Sequence, residues 1–366
     1  MRIGIDAHAI GTQAGGNETF ILQQLRALYS VAPGTDILAL VHAELANTPG
    51  IGQGFHPYPI PVHSSWLRVP FVLPWIVKKA KLDLLQVQYS APPYCPCPYI
   101  VLLHDMVWKR FPETLPVIDR YRLNFLGSGT VRRARRVFCL TEAMKREAME
   151  IYRASEDKID VVSPAVDALY RPIEDQAGLA NVRAKYGLPG DFILYVGALQ
   201  PRKNLVRLAQ AFARIKDRGF PHRLVFTGKR TNYGPIAEAI DSLQLGDRLQ
   251  FTGYVDTEDL PRLMSAASVF AYVSLYEGFG IPVVEALACG TPVLTSTDPS
   301  LSEISGGAAL TCDPFSVDAI EDGLLRLLTD ENLRQHCRMA GPARAKHYSL
   351  ENMGRAALEG YKKALS

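Results

Sequence analysis

Two successive trains of short apolar runs, separated by stretches with helical period, organise the chain. The first train occupies residues 2–6, 36–41, 84–88, 99–104, 137–140 and 159–163; the second occupies 192–197, 223–228, 249–253, 269–274 and 292–295. The runs are continuous and rich in β-branched and aromatic residues, the pattern of strands covered on both faces of a parallel sheet. Stretches between them, such as 18–29, repeat apolar positions at helical period, so the alternation predicts doubly wound α/β layers. A polar segment at 166–190, carrying Pro172, Gly178, Gly187 and Pro189, divides the trains. The expected fold is therefore two Rossmann-like domains, 1–168 and 169–348, facing across a cleft. Ligands are expected beyond the carboxyl ends of the strands. Residues 349–366 read as a last amphipathic helix capped by Ser349.

Composition narrows this picture little. At 366 residues, 48% hydrophobic and 21% charged, the chain is an ordinary globular one, too long for a single typical core. The net charge of +3 argues against nucleic acid as a partner. Met1-Arg2-Ile3-Gly4-Ile5 leads straight into a strand, so no secretory leader is expected. The most membrane-like stretch, 66–77, is broken by Arg68, Pro70 and Pro74 and is far shorter than the ~20 residues that span a bilayer. The six cysteines lack zinc spacing and are expected as buried free thiols in a reducing cytoplasm. Neither Asp-x-Asp nor a dinucleotide or P-loop glycine pattern occurs, so no metal or other cofactor is expected.

The richest chemistry lies at 276–293. There an apolar run enters the loop Glu277-Gly278-Phe279-Gly280, followed by Ile281 and Pro282 at the first turn of a helix that Gly290 and Pro292 end. Glycines let backbone amides approach a ligand closely and a helix start favours negative charge, which together suit a phosphate. Glu277 in the loop and Glu285 one turn into the helix suit sugar and ribose hydroxyls on either side of it. A loop acid and a helix-start acid favoured by the macrodipole remain the plain alternative.

Arg202 and Lys203 follow the run 192–197 and precede a helical stretch. Cations are disfavoured at a helix start, so binding of a leaving diphosphate is the better reading. His104 and Asp105 stand at the carboxyl end of the run 99–104; a lone histidine there is ordinarily structural. Gly15 and Gly16, in the loop from Gly11 to Glu18, open the first helix, as any tight strand–helix turn allows. The run Val131-Arg132-Arg133-Ala134-Arg135-Arg136 reads as cations at a helix end or, alternatively, as a patch for an anionic membrane.

Glu-Gly-Phe-Gly-x-Pro-x-x-Glu-Ala-x-Ala-x-Gly-x-Pro-Val, as it stands from Glu277 to Val293, resembles the signature of the retaining GT-B glycosyltransferases of group 1, family GT4. The resemblance implies that Glu277 contacts the donor sugar and Glu285 the ribose. It implies that amides of Gly278, Phe279, Gly280, Ile281 and Pro282 hold the diphosphate. Lys203 fills the family's phosphate-loop position. Arg202 is the second candidate cation, because Ala198 stands after Gly197 where many members have arginine. His104 would touch the donor sugar, and Gly15 and Gly16 would lie over the diphosphate. The C-terminal helix would cross back to complete the N-terminal, acceptor domain, while 169–348 would hold the donor. The implied activity is metal-independent hexosyl transfer from a nucleotide-diphosphate sugar, GDP-mannose before UDP-glucose, to a glycan or lipid-linked acceptor. The implied location is cytoplasmic, with peripheral contact at an anionic membrane. A nucleotide-sugar 2-epimerase of the same fold and a non-catalytic nucleotide-sugar binder remain as alternatives.

Overall fold

The computed structural model describes residues 1–12, 15–46, 55–114, 117–230 and 233–366. Gln13 and Ala14, in the glycine loop read above, lie outside the described residues. Two compact units divide the chain: residues 1–165 with 349–366, and residues 166–348.

The first unit carries a seven-stranded sheet of β1 (Arg2–Asp6), β2 (Asp36–His42), β3 (His56–Ile60), β4 (Leu84–Gln88), β5 (Tyr99–Leu103), β6 (Arg136–Cys139) and β7 (Ile159–Val161). Its order is β3-β2-β1-β4-β5-β6-β7, with every neighbouring pair parallel. β4 and β5 are buried at every position, the consequence of covering helices on both faces. The order reverses between β1 and β4, which is where such sheets open a crevice for ligands.

One strand departs from expectation. His-Pro-Tyr-Pro-Ile, absent from the apolar runs above, forms β3 and, among the described residues, pairs with β2 alone. Proline is tolerated there because an edge strand needs ladder donors on one side only.

The C-terminal helix Leu350–Leu365 packs on the helix Gly16–Val31. A Cβ at Gly354 would lie 2.6 Å from the Ala27 carbonyl oxygen, so glycine sets how closely the two approach. Beneath them Tyr361 donates to Gln86 Oε1 at 2.6 Å, while Gln24 and Gln86 exchange amide bonds of 2.7 and 3.0 Å. Buried amides left unpaired would cost about 1–3 kcal/mol each, so this network constrains where the helix sits.

The second unit repeats the topology with β8 (Phe192–Val196), β9 (Arg223–Thr227), β10 (Leu249–Gly253), β11 (Val269–Tyr272), β12 (Val293–Ser296) and β13 (Leu310–Cys312). The parallel order is β10-β9-β8-β11-β12-β13, reversing between β8 and β11. β13, three residues long and only partly buried, is too short to show as an apolar run.

All six cysteines are free. Four are buried, but Cys95 and Cys97 are half-exposed, a departure from the buried thiols expected. Among the described residues no helix is long and apolar enough to cross a membrane.

Candidate active site

In the second unit the site grows from the carboxyl ends of β8 and β11. After β8 and Gly197 the chain makes a short turn at Pro201–Lys203, and Asn204 takes left-handed backbone angles (φ 62, ψ 31) to start the helix Leu205–Asp217. Asparagine is among the few residues that tolerate this region. Its side chain donates to the carbonyls of Val273 (3.0 Å) and Pro314 (2.7 Å), and Leu275 N donates to Arg202 O at 3.0 Å. These bonds hold the turn against the segment following β11, and so carry Arg202 and Lys203 to Glu277.

The three side chains form one buried ion cluster. Lys203 Nζ lies 2.6 Å from Glu277 Oε1, and an Arg202 guanidinium nitrogen lies 3.0 Å from Oε2. Lys203 also donates to the Tyr272 hydroxyl at 2.8 Å, and Arg202 to the Tyr276 carbonyl. Burial pushes the Glu277 carboxyl up, but Arg202 and then Lys203 outweigh it and hold its pKa at about 2. Two cations and one acid leave a net charge of +1 in a site nearly closed to water.

Asp298, not singled out from the sequence, sits behind the cluster. It accepts from Glu277 N at 3.4 Å and caps the helix Pro299–Ser305 through Ser300 N and Leu301 N, both at 3.0 Å. Burial raises its carboxyl to about 7. The Asp298-Pro299 pair was the available signal, an acid directly before a first-turn proline.

Gly280 turns the chain into the helix Ile281–Ala288 with φ +106, and a Cβ there would come within 2.5 Å of Leu301 Cδ2. Pro282 occupies the first turn. The Phe279 ring is buried edge-on against Tyr348 at 5.3 Å, so its backbone rather than its ring is what a ligand can reach. Glu285 stands in a second arrangement. Burial raises its carboxyl to about 7, partly offset by a hydrogen bond with Tyr170, another residue not marked in advance.

In the first unit His104 follows β5 directly and is buried. Its Nε2 lies 2.9 Å from Gln88 Oε1, and Gln88 donates its amide to Asp6 O at 2.6 Å. The ends of β1, β4 and β5 are thereby joined at the switch point. Phe20 meets the imidazole edge-on at 5.3 Å. Burial, then the neighbouring His8, lower its pKa to about 3, so the ring is neutral near pH 7. Asp105 accepts from Val107 N at 3.2 Å and thus holds its own loop.

Asp6 and His8 carried no functional signal in the sequence, and Arg68 showed only as a break in an apolar stretch. Asp6 Oδ1 is 2.9 Å from His8 Nδ1, and Asp6 Oδ2 is 3.7 Å from Arg68. Gly15 caps the first helix with φ 62 and ψ −126, a glycine conformation, and Gly16 begins it; Glu18 closes the loop by accepting from Gly11 N at 2.7 Å. The arginine run is not a uniform patch. Arg136 binds Asp160 through two bonds of 2.6 and 2.7 Å, and Arg133 donates to Pro93 O at 2.8 Å.

Residues 181–344 match the family described as Glycosyl transferases group 1, and residues 14–168 match Glycosyltransferase Family 4. The O-antigen chain mannosyltransferase B of Escherichia coli is 33% identical over 271 residues, covering 72% of this chain and 70% of that one. The chain belongs to the group 1, family 4 glycosyltransferases. This glycosyltransferase is also 29% identical, over 69% of its length, to the serotype-specific mannosyltransferase WbdA of Escherichia coli, of which it spans about a third (33%). Solved structures agree on the GT-B fold. Sucrose-phosphate synthase from Thermosynechococcus elongatus superposes with a TM-score of 0.80 at 21% identity, covering 99% of this chain and 98% of that one. Anabaena HepE in complex with UDP-glucose does so with a TM-score of 0.76 at 17% identity, covering 98% of each chain.

Proposed function

We propose that this glycosyltransferase moves a hexose, with retention and without a metal, from a nucleoside-diphosphate sugar to a glycan or lipid-linked acceptor in bacterial polysaccharide synthesis. The buried Arg202–Glu277–Lys203 cluster carries the reading. In the transfer the bond from the sugar's anomeric carbon to the diphosphate oxygen breaks and the acceptor oxygen bonds to that carbon. The acceptor's proton passes to the leaving diphosphate on the same face. Charge grows on the diphosphate as the bond lengthens, and fixed cations that hold it more tightly then lower the barrier. Lys203 and Arg202 are such cations, and the start of the helix Ile281–Ala288 adds amides and dipole.

Glu277 has a second part in this scheme. A diphosphate arriving at the two cations competes with the carboxylate that now pairs with them. Displaced from one cation, Glu277 is available to accept hydrogen bonds from donor-sugar hydroxyls. Glu285 accepts from the ribose, and the acceptor binds on the first unit, where His104 contacts the donor sugar.

The mannosyltransferase relatives support mannose as the sugar and hence GDP-mannose as first choice; the UDP-glucose complex of a structural neighbour keeps UDP-glucose second. Lys203→Ala tests the core of the reading. Turnover of the donor should be lost and nucleoside-diphosphate binding, followed by calorimetry, should weaken. Unaltered turnover in that variant would refute the assignment.

A further inference from the structure

We infer that the first unit holds a phosphate group of the acceptor in a cluster of one arginine and three histidines at the carboxyl ends of β1, β2 and β3. The inference rests on the reading of this unit as the acceptor's side, and it names the acceptor's chemical class. Four chain segments meet there. Asp6 ends β1 and His8 follows it, His42 ends β2, His63 lies in the loop after β3, and Arg68 begins a π-turn at Arg68–Val72. Such turns set an extra residue into a helix and recur at functional sites.

Arg68 and His42 are only 4% and 5% exposed, yet Arg68 Nε and His42 Nδ1 have no hydrogen-bond partner among the described residues. The Arg68 guanidinium approaches Asp6 Oδ2 only to 3.7 Å, beyond hydrogen-bond reach. A buried polar atom without a partner is costly, so two in one cluster mark where a ligand's oxygens belong. His63 is exposed, and its ring stacks on that of His42 with 3.9 Å between centres. His8 Nδ1 lies 2.9 Å from Asp6 Oδ1, which leaves Nε2, on the other side of the ring, for a ligand.

Charge fixes the sign of that ligand. Burial first, then His63, Arg68 and His8, lower the His42 pKa, and Asp6 opposes them. An anion relieves this crowding of basic groups, whereas a divalent cation would meet a buried guanidinium. One guanidinium fork satisfies a planar carboxylate. Donors arriving from several chain segments suit a tetrahedral phosphate, with its three free oxygens. His8 also acts on the charge of His104, so the cluster adjoins the histidine assigned to the donor sugar. The donor's own diphosphate belongs to Lys203 and Arg202 on the other unit, which makes the phosphate here the acceptor's.

Imidazole proton–carbon NMR signals of the full-length protein report on the cluster directly. With GDP added first to occupy Lys203 and Arg202, inorganic phosphate should shift the His8, His42 and His63 signals together. Glucose 1-phosphate should do the same, glucose should not, and glucuronate should need about tenfold more. His42→Phe keeps a stacked ring without its nitrogens, and His63→Ala changes an exposed residue. Each should weaken phosphate binding about tenfold, the scale of one charge-assisted hydrogen bond, and neither should lower the melting temperature. Sulfate, whose charge is constant over this range, should bind wild type more tightly near pH 6 than near pH 8, because protonated imidazoles attract it, and His42→Phe should narrow the difference. Unshifted His42 and His63 signals at saturating phosphate would overturn the inference, as would wild-type affinity in His42→Phe. Glucuronate binding as tightly as glucose 1-phosphate would overturn the choice of phosphate. Donor hydrolysis is followed alongside: its absence would count against the transferase reading alone, since the imidazole shifts require no turnover.

Discussion

Glu277→Gln keeps the size of the side chain and removes the one carboxylate shared by Arg202 and Lys203. The three side chains are 8–11% exposed, so solvent screens the cluster little. Despite burial, the carboxyl is held at about 2 against an ordinary 4.5. At about 1.4 kcal/mol for each tenfold change, this corresponds to about 3 kcal/mol favouring the folded state at neutral pH. Because the folded pKa lies below the unfolded one, the contribution is complete above about pH 4.5 and disappears as pH falls toward 2. The glutamine variant loses it together with the counter-charge that Glu277 gives two buried cations, a penalty of about 3–5 kcal/mol. For units of this size each kcal/mol lowers the melting temperature by about 2–4 °C, so a drop of about 6–20 °C is expected at pH 7. The difference from wild type should shrink as pH is lowered toward 3. Nucleoside diphosphate reverses part of the loss: with no carboxylate to displace, the cations meet it more readily, and GDP or UDP should raise the variant's melting temperature more than the wild type's. Donor turnover should fall at the same time. Thermal melts across pH and nucleotide concentration read all of this. An unchanged melting temperature together with a smaller nucleotide response would refute both the energetic role of the cluster and its place at the diphosphate.

Glu285, with its carboxyl at about 7, should make nucleotide affinity rise between pH 6 and 8, since the ionised form accepts more bonds from ribose; Glu285→Gln should flatten that profile in calorimetric titrations. Its raised pKa works the other way on stability, which should decline as pH rises from about 4.5 to 7 in wild type and less so in the variant. Gly280→Ala combines a φ of +106 with a Cβ 2.5 Å from Leu301 Cδ2 and should cost about 2 kcal/mol or more, read as a fall of about 4–8 °C in the melting temperature.

Much of the fold was legible because strands in a doubly covered parallel sheet are apolar throughout: β4, β5 and β8 are almost wholly buried and read as unbroken runs. β3 was missed because its two prolines speak against a strand unless the strand is known to be an edge, and edge position is a property of the whole sheet. The site was legible as residue types at carboxyl ends, but not as pairings. Lys203 and Glu277 are 74 residues apart and meet because β8 neighbours β11. Alternation of strands and helices does not state that order. Asp6, Gln88 and His104 are linked for the same reason, through the adjacency of β1, β4 and β5. Phe279 shows the opposite limit: a residue central to the motif spends its ring on packing against Tyr348.

The two units solve the same electrostatic problem alike. Each places a buried acid at or just beyond the end of a strand that flanks its switch point, Asp6 ending β1 and Glu277 after β11, and each acid is held at about 2 by cationic or basic neighbours despite burial. An unpaired cation in such a crevice would carry a desolvation penalty while the site is empty; an acid beside it removes most of that penalty. The acid also keeps the cations oriented, so that a ligand finds them in place rather than ordering them on arrival. The cost is competition, because any anion must displace the internal partner. For a donor whose diphosphate must be released after every transfer, that competition is useful. On the proposed mechanism Glu277 would return to Lys203 and Arg202 as the product leaves, which would keep binding of the spent nucleotide from becoming too tight for turnover.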